Sequence, residues 1–211
     1  MTELRLTAPA AERNRHAICA VLSRHLQHRE EVGGDVLEIG AGTGQHSITF
    51  AQTLPQFTFW PTEPQTRHRQ SIDAWRSGAP VKNMHPAQPL DVLADDWGLG
   101  VAGMAPKTGL TAIVCINVIH ISPWDVAVNL LTRARSHIAD DGILFLYGPF
   151  MRDGEHTAES NAKFNASLRA QNPAWGIRDM VEIESLAGKN GLALKQIIDM
   201  PANNFSLILS P

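Results

Sequence analysis

A mostly parallel sheet covered by helices on both faces, an α/β doubly wound architecture, follows from three features of this 211-residue chain. Helix-like and strand-like segments alternate, the first strand runs into a glycine-rich turn, and polar residues recur where successive strands end. At 44% hydrophobic content, a chain of this length buries a sizeable core without disulfide staples.

In chain order, Ile18, Val21, Leu22 and Leu26 recur at helical spacing, so Pro9 to Glu31 reads as an N-terminal helical region. The periodicity then predicts seven strands, at Val36–Ile39, Phe57–Thr62, Met84–Leu90, Leu110–Ile121, Gly142–Tyr147, Leu192–Ile198 and Phe205–Leu209. Helical patterns separate them at Gln45–Leu54, Gln65–Ser77, Trp124–Ile138 and Asp179–Lys189, with a shorter one near Val92–Trp97. Such alternation makes βαβ units, hence parallel strands. Gly98–Gly109 reads as a flexible excursion. No repeat, low-complexity tract or linker interrupts the pattern, so a single domain over 1–211 is expected, with 1–31 as its helical entry.

Composition narrows the function. A formal charge of −3 without clustered Lys and Arg gives no electrostatic case for nucleic acid. Cys19 and Cys115 fall in unrelated segments and read as buried thiols of a reducing compartment. No apolar run approaches membrane-spanning length, and "MTELRLTAPAAERNRH" lacks the apolar stretch of a signal peptide. A cytoplasmic protein with no membrane partner is the expectation. His25 and His28 share a helical face, yet no carboxylate or cysteine pattern completes a metal site, so no metal is assigned.

The stretch "VLEIGAGTGQHSITFA", Val36 to Ala51, reads as strand, tight turn and helix. Its glycines, Gly40, Gly42 and Gly44, follow E-x-G-x-G-x-G from Glu38, and the third comes one residue early for the dinucleotide fingerprint. The spacing suits class I methyltransferases, where a nucleoside and an amino acid lie across the turn: Gly40 and Gly42 admit the ligand and Gly44 lets the turn enter its helix. Glu63 ends the second strand, where a carboxylate can accept hydrogen bonds from both ribose hydroxyls. Asp91 closes "QPLDV", within reach of an adenine amino group, and Asn117 opens the polar exit "NVIHISPW" of the fourth strand. Open α/β sheets bind ligands at this carboxyl edge. The competing reading makes Glu63 and Asp91 helix caps.

The segments "AERNRH", "LEIGAGTGQH", "INVIHISPW", "LYGPF", "GEHTAESNAKFNASLR", "WGIRDM" and "MPANN" together resemble a small family of S-adenosylmethionine (SAM)-dependent methyltransferases long listed as a domain of unknown function. The likeness runs from about Pro9 to the C-terminus. It implies a Rossmann-like class I methyltransferase fold with SAM as cofactor, and it brings no substrate. The acid after the second strand, often Asp in a "PSD" stretch, is here Glu63 in "PTEP", which alters the expected ribose geometry.

Methyl transfer is an in-line displacement at carbon, so the protein must chiefly align the acceptor and exclude water. His120 is the candidate general base or substrate orienter, because an imidazole with a pKa of about 6.5 suits proton removal near neutrality. Tyr147 competes as an orienting donor. Gly148 to Gly176 is long, aromatic and polar, which reads as a lid over the active site or as a plain surface loop. It and its surroundings supply Trp124, Phe150, His156, Ser160, Asn161, Asn165, Arg169, Trp175, Arg178 and Asp179 as candidate acceptor contacts. Asn203 and Asn204 either touch the acceptor or cap a turn. Arg13 and Asn14 either fold over the cofactor, where Arg could pair with its carboxylate, or stay solvated on their helix; His46 either touches the cofactor or packs. The fourth strand's exit reads Asn117-Val118-Ile119-His120 and not Asn-Pro-Pro-Tyr, which argues against adenine or glutamine acceptors. A small-molecule acceptor is favoured over a protein side chain. A SAM-binding sensor without turnover is the alternative, and a dinucleotide oxidoreductase stands third.

Overall fold

The computed structural model describes residues 4–211; the first three residues of the N-terminal segment lie outside it. The helix α1 (Pro9–Leu26) starts with proline in its first turn, where the missing N–H costs nothing. It is followed by β1 (Gly34–Ile39), α2 (Gln45–Thr53), β2 (Phe57–Thr62), α3 (Thr66–Ser77), β3 (Leu110–Ile116), α4 (Trp124–His137) and β4 (Ile138–Gly148). The second half comprises β5 (Phe150–Arg152), β6 (Glu155–His156), α5 (Glu159–Gln171), β7 (Arg178–Asp179), α6 (Met180–Lys189), β8 (Ala193–Met200) and β9 (Asn204–Ser210).

The main sheet has the order β2-β1-β3-β4-β9-β8, with the first four strands parallel and β9 antiparallel to both its neighbours. Alternate residues of β1 reach opposite faces, so Val36 joins a cluster with Ile18, Leu22 and Phe50 of α1 and α2, while Leu37 joins one with Leu130 and Ile183 of α4 and α6. The sheet is therefore buried on both sides.

It has six strands where the sequence predicts seven. The segment from Met84 runs parallel to the outer edge of β2 but pairs with it only at isolated bridges, Phe59 with Met84 and Thr62 with Gln88. Pro86 there and Pro61 of β2 lack the N–H groups a continuous ladder needs, and the Ala87 N–H goes to Asp73 instead.

Three further expectations need correction. The fourth predicted strand ends at Ile116, because Asn117 adopts a left-handed conformation (φ 62°) and Val118–His120 forms a 3₁₀ turn. Residues 92–97 form no helix; the Asp91 carboxylate takes the Leu93 N–H and starts a turn. The 98–109 stretch is irregular but buries Leu99 and Ala105 in the core, so it is not a free excursion. The segment Gly148 to Gly176 holds α5 and two strands of a small sheet, ordered β6-β5-β7. No helix of the described residues is long and apolar enough to cross a membrane.

Candidate cofactor-binding site

Beyond Ile39 the chain leaves β1 through the three-glycine turn. Gly42 has φ +56°, and a Cβ built there would meet nothing within 4 Å, so the turn opens onto free space. Gly44 has φ +90°, and a Cβ there would lie 2.8 Å from the Ile72 Cα, so this glycine seats the turn on α3. Gly40 packs against the Val118 side chain. A cleft of about 440 Å³ spreads over the turn, within the usual range for small-molecule sites.

Acids line this cleft at successive strand ends. Glu63, just past β2, accepts the Gly42 N–H at 2.9 Å and the Gln65 N–H at 3.1 Å, which fixes its carboxylate beside the turn. Asp91 lies across the cleft and Asn117 stands at the exit of β3, its N–H donated to the Tyr147 carbonyl at 2.8 Å. Glu38 is buried and accepts a hydrogen bond from the Ser47 hydroxyl. Burial first, and then the Glu63 charge, push its pKa up to about 8, so in the empty cleft it keeps its proton at neutral pH. His46 also lines the cleft and donates or accepts through Nε2 to Asn14 Oδ1 at 2.9 Å. Burial, with the Arg15 charge, lowers its pKa to about 4, so it is neutral.

The remaining predicted residues lie elsewhere. Arg13 is exposed on α1, outside the cleft lining, and Asn14 sits behind His46. His120 and Tyr147 are buried next to the cleft and do not line it. Burial lowers the His120 pKa to about 3, with the Arg178 charge adding, which removes the general base read from its ordinary value. Burial raises the Tyr147 phenol above its usual value; the Asn14 amide offsets this in part without completing a hydrogen bond.

Among the acceptor candidates, Asn161 donates to the Asn203 carbonyl at 2.9 Å and to Thr157, while the Asn203 amide reaches Ser160 at 3.2 Å. These bonds tie α5 to the turn before β9. The Arg178 guanidinium holds the carbonyls of Ile119, Ser122 and Ala174 and lies 5.5 Å from the Trp124 ring centroid. His156, on β6, leaves Nδ1 without a partner. None of these five side chains lines the cleft. His25 bonds Val21 and Gln196, and His28 faces Asp141.

Sequence reasoning missed one wall. Ala8, Ala10 and Ala11, at the start of α1, line the cleft together with Ile121 and Ser122. The Ala8 N–H donates to Gln45 at 2.6 Å, and Gln45 donates to Glu12 at 2.9 Å, which ties α1 to the helix after the glycines. Alanines carry no polar signature, though Pro9 marks where that helix begins. A second hollow, of about 490 Å³, lies between the N-terminal segment and α3, and gathers neither glycines nor strand-end acids.

Solved structures share this arrangement. The mitomycin 7-O-methyltransferase MmcR matches with a TM-score of 0.70 at 15% identity, over 95% of this chain and 60% of its own. An O-methyltransferase family 2 protein from Planctomyces limnophilus, solved in complex with apigenin, matches at 0.71 and 14%, over 92% and 61%. LepI in complex with S-adenosylhomocysteine (SAH) and a substrate analogue, and a structure titled as a pericyclic reaction enzyme, each match at 0.68 and 15%, over 90% and 46%. The chain thus spans 46–61% of the length of these structures. They establish the class I methyltransferase fold. Residues 5–210 match the family described as "Protein of unknown function (DUF938)", and the chain belongs to that family.

Proposed function

We propose that this chain is a SAM-dependent methyltransferase acting on a small-molecule acceptor. The observation that carries the reading is the open turn at Gly42 with the Glu63 carboxylate fixed beside it. A nucleoside needs such a pairing, because its ribose hydroxyls must donate to a fixed carboxylate while its body crosses bare backbone. Glu63 would take the ribose, Asp91 the adenine end, and Asn117 the amino-acid side of the cleft. Glu38 and His46 would close the floor beneath. When bound, SAM supplies an electrophilic methyl group on a cationic sulfur.

The chain's own contribution is alignment and exclusion of water. Ala8, Ala10 and Ala11 present an apolar wall on one side of the cleft and Val118, Ile121 and Val126 one on the other. We place the acceptor beside Asn117, at the ends of β3 and β4, with residues 148–176 as a lid held through Asn161 and Arg178. Neighbours named as O-methyltransferases, one of them holding apigenin, support a small acceptor. The neighbour titled as a pericyclic reaction enzyme favours a second reading, in which the same fold binds the nucleoside without transferring its methyl group.

Incubation with methyl-tritiated SAM and a cell extract divided into small-molecule and macromolecular fractions separates these readings. The proposal predicts label in the small-molecule fraction, dependent on the protein and abolished in Gly42→Val. Label confined to macromolecules would contradict the small acceptor. Binding of SAM with no transfer to either fraction would favour the second reading.

A further inference from the structure

His120 follows β3 on its 3₁₀ turn and is 1% exposed, its ring edge-on to Phe150 with centroids 4.8 Å apart. The Gly176 N–H donates to its carbonyl at 2.9 Å, and the Arg178 N–H points at its Nδ1 at 3.4 Å. A ring nitrogen that accepts an N–H carries no proton of its own, so the imidazole's hydrogen lies on Nε2. That Nε2 is buried and has no partner. It faces the gap left by the missing side chain of Gly148: a Cβ there would collide with Nε2 and come within 3.2 Å of Asn117 Oδ1. Asn117 lines the cofactor cleft, so this unfilled donor adjoins the cleft at the ends of β3 and β4.

The surroundings favour negative charge. The Arg178 guanidinium holds only carbonyls, and Arg169 Nε comes within 3.2 Å of the Cβ position of Gly176. Neither arginine forms an ion pair among the described residues. Asp179 is occupied by the N–H groups of Gly154 and Val181, and Glu182 acts on Arg178 less strongly than Arg169 does. Asn117, Val118, Ile121 and Ser122, which line this end of the cleft, offer no side chain able to take a proton at neutral pH.

We propose that His120 binds the methyl acceptor as a fixed, neutral N–H donor through Nε2, and that the acceptor is an oxyanion, a carboxylate or acidic phenol, ionised before it arrives. This rests on the methyltransferase reading above. An oxygen lone pair of the acceptor forms the bond to the methyl carbon while the carbon–sulfur bond breaks and its electron pair stays on sulfur. No proton remains to be removed, so no base is required. In a carboxylate the second oxygen accepts the Nε2–H. The lowered His120 pKa agrees, since it keeps the ring neutral and the donor in place.

The test uses the full chain labelled with ¹⁵N-histidine and saturated with SAH, with benzoate and benzyl alcohol as probes of equal size and different charge. Long-range proton–nitrogen spectra should show His120 as a single Nε2–H tautomer that does not titrate between about pH 5 and 8. Benzoate should shift that Nε2–H resonance and benzyl alcohol should not. His120→Gln, which keeps an N–H near the same place, should retain benzoate affinity. His120→Ala should weaken it roughly tenfold or more with SAH affinity unchanged. A titrating or Nδ1–H imidazole, an Nε2–H unmoved by benzoate, or unaltered benzoate affinity in His120→Ala overturns the inference while SAH binding stands. Failure to bind SAH overturns the methyltransferase reading itself.

Discussion

Gly42 and Gly44 both hold left-handed backbone, but only one faces a wall. A side chain at Gly42 enters open cleft, so Gly42→Val should fold, at a backbone cost of about 1–2 kcal/mol, and lose SAH affinity at least about 100-fold. Gly44→Ala should do the reverse, because its Cβ meets the Ile72 backbone: we expect roughly 2–4 kcal/mol of lost stability, read by urea denaturation, before any effect on affinity. A Gly44→Ala variant of ordinary stability would contradict that assignment. Residues such as Gly42 and Glu63 were legible in the sequence because backbone access and a strand-end carboxylate are local properties. The state of His120 was not. Its burial and its pKa come from Gly176 and Arg178, which lie more than 50 positions later and reach it only through the tertiary fold.

At the level of elements, apolar periodicity exposed the parallel strands, since strands buried on both faces read as continuous apolar runs. It failed where the chain is polar. The helix α5 buries only Asn161 and Leu168, seven residues apart, so its period is hardly visible. It is held chiefly by hydrogen bonds, with Asn161 clasping the turn at Ala202 and Asn203, both of which have left-handed backbone. Removing that clasp strands the Asn203 carbonyl. Asn161→Ala should therefore cost about 1–3 kcal/mol locally and speed amide exchange across Glu159–Gln171 by about tenfold or more, leaving β1 unchanged. Exchange in α5 equal to wild type would show that the clasp does not hold the segment. The edge at Met84 was misjudged for a different reason. Its pattern is strand-like, but Pro61 and Pro86 interrupt the ladder from both sides.

For the molecule as a whole, the buried titratable groups set a pH profile. His46 and His120, depressed to about 4 and about 3, bind fewer protons folded than unfolded, so their contribution is complete above about pH 6.5 and is lost as pH falls through the folded values. Glu38, raised to about 8, keeps its proton when folded; its contribution is complete below its unfolded pKa and is lost as pH rises through 8. Between pH 4.5 and 6.5 two histidines outweigh one carboxyl, so ligand-free stability should peak near pH 6.5. Thermal melts across pH should show that maximum, with the alkaline limb flattened in Glu38→Gln and the acid limb in His120→Gln. A profile unchanged by both substitutions would mean that these groups titrate normally. A cationic sulfonium in the cleft lowers the Glu38 pKa, so SAM binding near pH 7.5 should release protons, measurable as a dependence of binding heat on buffer. The same calorimeter tests the central claim, that the three-glycine turn is built for SAM. Titrating SAM, SAH and NAD into the wild-type chain and into Gly42→Val should give saturable one-to-one binding of SAM and SAH to the wild type, none of NAD, and none of the three to the variant. Wild-type binding of NAD with none of SAM or SAH would contradict it.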